Sequence, residues 1–186
     1  MTQPNKILDG LLVLELRSGN KRAAALLVKK WHIKFCNQAY WYVRDREIAK
    51  DVAQDSWGII FRKIGKLKDP NSFGSWAMKI VTRSAIDKIR SSQRELQKLK
   101  LHYDTSNSIP AGDPPLDHRE NIDLLLSAIT ELPQKQQLVL RLFYLEEFSI
   151  TQISEVLEVS PGTVKSRLFT AREHLKTILK NRNYEE

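Results

Sequence analysis

"VSPGTVKSRLFTAREHL", residues Val159–Leu175, decides how the second half of this chain folds. Pro161 and Gly162 would interrupt a helix, yet apolar residues recur at three- and four-residue steps directly after them. Ser160 can accept a hydrogen bond from a first-turn amide, and Pro161 at the first helical position loses no intrahelical hydrogen bond. The two residues that would break a helix therefore mark the start of one.

A shorter helix is predicted directly before this one. Ser149 lies three residues before Gln152, which is the spacing of a capping box, so the helix should begin at Ile150. Glu158 and Val159 form the turn that follows. A short helix, a three- to four-residue turn and a longer helix make a helix-turn-helix.

The longer helix has two different faces. At about 100° per residue, one face is apolar and should be buried. Its residues are Val164, Leu168, Ala171, Leu175 and Ile178. The opposite face carries Lys165, Ser166, Phe169 and Thr170, with Arg167 and Arg172 at its edges. Hydroxyl groups can read base edges, an exposed Phe can contact a thymine methyl, and the helix start near Gly162 and Thr163 favours a phosphate.

Two interpretations of this helix compete. A basic amphipathic helix is often merely solvated. The cap, the turn length and the outward Phe169 favour instead a recognition helix that reads DNA in the major groove.

The composition indicates an all-α protein. Its 186 residues include only seven glycines and seven prolines, and helix-forming residues dominate. A hydrophobic share of 41% supports one core or two small ones and excludes wholesale disorder.

Positive charge is concentrated in two blocks. The net charge of +8 and the pI of about 9.6 favour a polyanionic partner. Lys79–Lys100 holds seven basic side chains against two acidic ones, and Lys165–Arg182 holds six against one. Between them, Leu101–Arg119 has three aspartates and one arginine.

Two helical domains are predicted. From about Asp9 to Leu101, helical patterns are separated by a turn at Ser18–Asn20, a break near Arg44 and a polar loop at Lys66–Ser72. The stretch "YDTSNSIPAGDPP", residues 103–115, has the composition of a linker. We therefore predict domains at residues 1–100 and 120–186, joined by a flexible acidic linker at 101–119. In the second domain one helix ends at Pro133 and the next runs from about Gln134 to Tyr144.

Catalysis and metal binding are not indicated. Cys36 is the only cysteine, which excludes a disulfide framework and a cysteine-based zinc site. The histidines are scattered, with neither an HExxH motif nor a nucleophile elbow: His32, His102, His118 and His174. We expect no enzyme, no metal and no cofactor.

The N-terminal sequence does not resemble a targeting segment. It lacks a basic n-region, and Asp9 and Glu15 border the short apolar run Leu11–Leu14. We therefore expect a cytoplasmic protein without membrane insertion.

The chain resembles a known family in both halves. "REIAKDVAQDSWGIIFRKI" (46–64) and "SFGSWAMKIVTRSAIDKIR" (72–90) are similar to region 2 of the extracytoplasmic-function class of bacterial sigma factors. The matching positions are Ala49, Asp51, Gln54, Phe73, Trp76, Ile80, Asp87 and Arg90. "LPQKQQLVLRLFYLEEFSITQISEVLEVSPGTVKSRLFTARE" (132–173) resembles region 4 and contains, near its end, the Gly-Thr-Val-Lys-Ser-Arg signature. With "SGNKRAAALL" (18–27), the resemblance covers nearly the whole chain.

The resemblance implies a factor that binds core RNA polymerase and directs promoter-specific initiation, melting the −10 element and reading the −35 element. The implied partners are the β′ clamp helices and β flap of core polymerase, promoter DNA and, as is common in the class, an anti-sigma factor. The linker would extend toward the RNA path of the polymerase.

The resemblance also assigns residues to three surfaces. Those that would bind core polymerase are Asp51, Gln54, Asp55 and Trp57. Those that would bind the −10 element are Lys66, Lys68, Asn71, Ser72, Phe73, Lys79 and Arg83. Those that would bind the −35 element are Pro161, Gly162, Thr163, Lys165, Ser166, Arg167, Phe169, Thr170 and Arg172.

General chemistry agrees with these roles, because strand capture needs a basic groove and aromatic platforms or pockets for unstacked bases. Trp76 lies on an apolar stripe and is expected in the core rather than against a base. Asp51 and Asp55, one turn apart, suit a basic partner, although solvated charges are the alternative.

The sequence departs from the family pattern at several positions. Lys50 and Ala77 replace a Glu and a Leu. Arg83 replaces an Asn that helps to bind the −10 strand, and Gln152 replaces a Glu that commonly pairs with an Arg of the recognition helix. Thr170 often has an Arg counterpart, so promoter preference should differ.

One alternative is an autonomous helix-turn-helix regulator, similar to a LuxR output domain, which binds promoter DNA without polymerase and usually as a dimer. Its N-terminal half would sense a ligand or phosphate, which "AKDVAQDSW" (49–57) and the basic loop do not suggest.

Overall fold

The computed structural model describes residues 3–99 and 127–183, and all regular secondary structure within these ranges is helical. The all-α prediction is confirmed. The chain divides into two compact units, one within residues 1–111 and one within 112–186. The predicted linker at 101–119 lies outside the described residues, so the domain boundaries stay predictions.

Within residues 3–99, the first unit has four α-helices: α1 (Gln3–Arg17), α2 (Lys21–Val43), α3 (Arg46–Lys63) and α4 (Phe73–Leu99). Gly19 has a φ of 95° in the first turn, a conformation that L residues rarely adopt. Asn20 then caps α2 by accepting a hydrogen bond from the backbone N–H of Arg22. The predicted turn at Ser18–Asn20 is confirmed.

The second predicted break is also confirmed. Arg44 ends α2 in the left-handed region with a φ of 57°, and its N–H donates to the Tyr40 carbonyl. Asp45 then caps α3, because its Oδ1 accepts a hydrogen bond from the Ile48 N–H at 2.9 Å.

Aromatic rings fill the core of this unit. The Phe35 and Trp57 ring centroids lie 4.9 Å apart, and Trp31 meets Phe73 edge-on at 6.1 Å. Gly74 admits this packing, since a Cβ there would overlap Cη2 and Cζ2 of Trp31. Any larger residue at position 74 would have to displace the Trp31 indole.

Two buried polar side chains of this unit are paired with residues of neighbouring helices. Asp9 is 3% exposed, and its Oδ1 accepts hydrogen bonds from Lys30 Nζ at 2.7 Å and Trp31 Nε1 at 3.3 Å. Gln38 Nε2 donates to Thr82 Oγ1 at 2.8 Å, which joins α2 to α4. Buried polar groups that lose such partners are costly, so both pairs specify how the helices pack.

The second unit is a smaller helical assembly. Its elements are α5, whose described part is residues 127–131, α6 (Gln134–Leu140), a π-helical turn (Arg141–Leu145), α7 (Ile150–Leu157) and α8 (Pro161–Asn183). The helix predicted from Gln134 to Tyr144 therefore changes to π geometry after Leu140. Its core includes Val139, Leu142, Ile153 and Val156.

The predicted apolar face of α8 is confirmed. Val164, Leu168 and Ala171 are buried, and Leu175 and Ile178 are half-buried near the end of the helix. Among the helices that the structure describes, none is both long and apolar enough to cross a membrane.

Candidate nucleic-acid interface

Local capping contacts build the helix-turn-helix. The Gln152 N–H donates to Ser149 Oγ at 3.2 Å, and the Ser149 N–H donates to Gln152 Oε1 at 3.0 Å. Glu158, with a φ of 54°, closes α7 in the left-handed region. The capping box and the turn are therefore confirmed. Gln152 uses its side chain on the start of its own helix, a local role for a residue that departs from the family pattern.

The start of α8 follows the same logic. Ser160 Oγ accepts a hydrogen bond from the Thr163 N–H at 3.1 Å, and the Val164 N–H donates to the Ser160 carbonyl at 3.1 Å. Pro161 is the first helical residue. Its predicted place at the start of the helix is confirmed, and the partial positive charge of the helix dipole is presented at an exposed end.

The exposed face of α8 carries most of the predicted base-reading residues. Phe169 is 68% exposed, with Lys165 and Ser166 exposed beside it and Thr170 half-buried. Ser166 Oγ donates to the Thr163 carbonyl at 3.0 Å, so its hydroxyl faces outward mainly as an acceptor. Of the remaining predicted residues, Pro161, Gly162 and Arg172 are exposed, and Thr163 and Arg167 are half-buried.

Arg172 is held against the π-helical turn. Its Nε donates to the Tyr144 hydroxyl at 3.0 Å, and its guanidinium carbon lies 5.6 Å from the ring centroids of both Phe143 and Tyr144. These contacts fix the side chain at the edge of the recognition face and tie α8 to the preceding turn.

The basic loop, which we define as residues 64–72 between α3 and α4, has two short 3-10 turns at Ile64–Lys66 and Pro70–Ser72. Asp69 caps the second, accepting hydrogen bonds from the Asn71 N–H at 3.0 Å and Ser72 Oγ at 2.7 Å. Lys66, Lys68 and Asn71 are exposed. The loop therefore presents two cations on an ordered backbone.

Arg17, at the end of α1, was not anticipated from the sequence. Its Nε and Nη2 donate to the Ile64 carbonyl at 3.2 and 2.6 Å, and Nη2 also donates to the Leu67 carbonyl. The partners lie 47 and 50 positions away along the chain, so no local pattern could have indicated the contact.

Two predicted contact residues are buried, and their assignments need correction. Phe73, predicted to bind the −10 element, is 0% exposed, and Trp57, predicted to bind core polymerase, is 6% exposed. Their rings stack 6.5 Å apart within the aromatic core, so neither is available to a partner in this conformation. Trp76, expected in the core, is half-buried beside Phe73.

The other predicted residues of the first unit lie at its surface. Asp51, Gln54 and Asp55 are exposed on α3. On α4, Lys79 is half-buried and Arg83 is exposed, while Ser72 at the end of the basic loop is half-buried.

Both units match families of one kind of protein. Residues 27–95 match Sigma-70 region 2, and residues 122–175 match Sigma-70, region 4. Several relatives that align with more than nine tenths of this chain are named as factors of the extracytoplasmic-function (ECF) class. This chain is an ECF sigma factor. As a member of that family it acts with RNA polymerase in transcription initiation and is not an enzyme.

Individual relatives agree along nearly the whole chain. The ECF RNA polymerase sigma-E factor of Haemophilus influenzae is 27% identical over 180 residues, covering 92% of this chain and 95% of that protein. The RNA polymerase sigma-H factor of Pseudomonas aeruginosa is 28% identical over 181 residues, covering 92% and 93%. The LuxR-like alternative does not account for the region 2 match in the first unit of this sigma factor.

A solved structure shows the same fold. The sigma factor RpoE of Bartonella quintana, crystallised with the anti-sigma factor NepR, has a TM-score of 0.60 and 22% identity, covering 84% of this chain and 96% of that one.

Proposed function

We propose that this sigma factor divides promoter recognition between its two units. The exposed face at the start of α8 reads the −35 element, and the basic loop with the start of α4 binds the −10 element. The observation that carries the proposal is the 68% exposure of Phe169 on a helix whose start is capped and basic. A large apolar side chain in that position fits a base edge better than it fits water.

The start of α8 supports major-groove reading. Lys165 can contact a phosphate or a guanine edge, Phe169 can contact a thymine methyl, and Thr170 can hydrogen bond to a base edge. The amide end of the helix near Gly162 favours a backbone phosphate, which would set the register of the helix on the duplex.

The basic loop supports binding of a separated strand. Lys66 and Lys68 are exposed for phosphate contacts, and half-buried Trp76 offers part of its ring at the start of α4. Lys79, Arg83, Asn71 and Ser72 complete the proposed surface. Phe73 contributes indirectly, because its buried ring packs among the other aromatic rings and holds the start of α4 in place.

The exposed face of α3 supports binding to core polymerase. Asp51 and Asp55 lie one helical turn apart with Gln54 beside them. Two carboxylates and an amide in this arrangement suit a basic helical partner, for which we propose the β′ clamp helices. We propose the β flap as the partner of the second unit.

An anti-sigma factor is a proposed regulator. The B. quintana relative is described in complex with the anti-sigma factor NepR, and CnrH, which has a similar fold, is described in complex with the cytosolic domain of CnrY. We also propose that this protein acts in the cytoplasm, with DNA-binding domains at residues 1–100 and 120–186 joined by a linker at 101–119.

Transcription from a selected promoter tests the proposal. DNA fragments enriched by the holoenzyme, reconstituted with bacterial core polymerase, would supply the promoter, and run-off transcription would be measured with and without core. We expect a transcript only when both are present and weak binding of the free protein to duplex DNA. Tight sequence-specific binding by the free protein, with no effect on core, would instead indicate an autonomous regulator.

A further inference from the structure

We infer that Arg17 is a positioning residue that holds the basic loop in the conformation that captures the −10 strand. The inference rests on the proposed role of that loop. Arg17 itself lies on α1, outside every surface assigned above, and acts through two backbone carbonyls.

The guanidinium joins the two ends of the first 3-10 turn. Its Nε and Nη2 reach the Ile64 carbonyl, and Nη2 also reaches the Leu67 carbonyl. Ile64 lies at the C-terminal end of α3, where carbonyl groups lack helical partners and the helix dipole favours a positive charge. The Leu67 N–H already donates to the Ile64 carbonyl, and Arg17 adds a charged donor there and links it to the Leu67 carbonyl.

The buried side chains of Ile64 and Leu67 also hold the first 3-10 turn in place. Ile64 is 7% exposed and Leu67 is 6% exposed. Because both side chains are buried, the backbone between them faces outward. The planar guanidinium of Arg17 then fixes the orientation of that backbone. Lys66 lies between Ile64 and Leu67 in the sequence, and Lys68 directly follows Leu67. The positions of both lysine side chains therefore depend on the Arg17 hydrogen bonds.

A second contact from α1 holds the other end of the loop. A Cβ at Gly10 would overlap Oδ1 of Asn71, so the Asn71 side chain lies directly against the α1 backbone. Asp69 then caps the turn that contains Asn71. Helix α1 thus contacts both 3-10 turns, with Arg17 at one and Gly10 at the other.

A fixed loop matters because a single strand must itself be ordered when it binds. If only a fraction of molecules hold the competent loop, the apparent dissociation constant rises by the inverse of that fraction. If loss of the Arg17 contacts lowered the fraction of molecules with a competent loop to about one tenth, strand binding would weaken about tenfold.

A direct phosphate contact by Arg17 is the competing explanation, and salt dependence separates the two. Each phosphate contact adds about 0.7 to the slope of log K against log salt for a single strand. A positioning residue leaves this slope unchanged. Arg17→Lys sharpens the distinction, because lysine keeps the charge but lacks the fork that spans two carbonyls.

The experiment uses the holoenzyme on the selected promoter with its −10 region unpaired in advance. We expect Arg17→Gln and Arg17→Lys each to weaken binding about tenfold, with the salt slope of the wild type. The matched control is Arg22→Gln, which removes the same charge from an exposed position on α2 and should bind as the wild type does. The affinity for core polymerase should be equal in the wild type and the three variants.

Hydrogen exchange on the full chain supplies an independent readout. The Leu67 N–H bonds to the Ile64 carbonyl and the Ser72 N–H to the Asp69 carbonyl. We expect exchange at Leu67, and to a smaller extent at Ser72, to accelerate in Arg17→Gln, while amides in the middle of α2 keep their protection.

Several results would overturn the inference. One such result is an Arg17→Lys variant that binds the promoter as tightly as the wild type. Another is a shallower salt slope for Arg17→Gln, and a third is an equal loss of promoter affinity in Arg17→Gln and Arg22→Gln. Each would show that charge alone matters. Loss of protection throughout the first unit would reduce Arg17 to a stability role. If the wild-type holoenzyme itself produced no transcript, the proposed function would fail, which is a separate outcome.

Discussion

The start of α8 and the basic loop are both exposed and cationic, but contacts of different range hold them. At α8, Ser160 bonds to Thr163, three positions away. The basic loop depends on Arg17, 47 positions from Ile64 and 50 from Leu67. One surface is therefore encoded within a short stretch of sequence, whereas the other exists only after α1, α3 and α4 have packed together.

Two phenylalanines give the largest expected contrast between the units. Phe73→Ala should destabilise the first unit by about 3–5 kcal/mol, because it leaves a cavity among the aromatic rings. Phe169→Ala should change stability by less than about 0.5 kcal/mol, since the ring is mostly in solvent. Urea unfolding followed by tryptophan fluorescence measures the first effect, because all four tryptophans precede residue 77.

Far-UV circular dichroism would report both units and serves as the check for Phe169→Ala. A mild effect of Phe73→Ala on the tryptophan transition would contradict the burial described above and restore Phe73 as a candidate contact residue.

Removing contacts from one surface should spare the function of the other. Lys165→Ala and Phe169→Ala should each weaken binding to the −35 element by about 1–3 kcal/mol, the usual range for a base-edge contact. Asp51→Ala combined with Gln54→Ala should weaken core binding instead. Holoenzyme binding to duplex promoter and competition for core polymerase measure the two effects.

The variants are controls for each other. Loss of both activities in a folded variant altered at only one surface would show that the two surfaces are not separate.

Substitutions of the residues that cap α7 and α8 should affect the stability of the second unit only. Ser149→Ala and Ser160→Ala should each cost about 1 kcal/mol, because an amide at the start of α7 or α8 loses its acceptor. The tryptophan transition of the first unit should not move. Ser91→Ala, at an exposed site on α4, is the matched control and should have little effect.

Urea unfolding followed by circular dichroism measures these changes. If Ser160→Ala were as stable as the control, the start of α8 would depend on tertiary packing, and the contrast between the two surfaces would be lost.

The smallest expected effect is a pH dependence in the first unit. Burial raises the pKa of the Cys36 thiol, with Lys50 acting in the opposite direction. A raised folded pKa means that the contribution of this thiol to stability is complete below the unfolded pKa and is lost as pH rises through the folded value. Stability should therefore fall slightly above about pH 8.5.

Cys36→Ala is the variant that isolates this contribution from those of the lysines. Tryptophan-monitored unfolding at pH 7 and pH 10 should show a smaller decrease for Cys36→Ala than for the wild type. An equal decrease in both proteins would show that the thiol environment does not differ between the folded and unfolded states.

Helix boundaries were predictable where residues close in sequence determine them. Ser149 with Gln152, Ser160 with Pro161, and Asn20 after Gly19 were all indicated by spacing and residue type. Burial was harder to predict on helices that contact neighbours on more than one side. Phe73 was assigned to DNA and Trp57 to polymerase, yet both turn toward rings contributed by other helices.

The sequence by itself determined the all-α fold, the capped helix-turn-helix and the outward position of Phe169, because a cap and a 3.6-residue period are completed within a few residues. Only the tertiary structure decided that Phe73 and Trp57 are buried and that Arg17 clasps the basic loop. These contacts join residues from different helices, and the free energy that selects them comes from packing whole helices together, which no short stretch of sequence records.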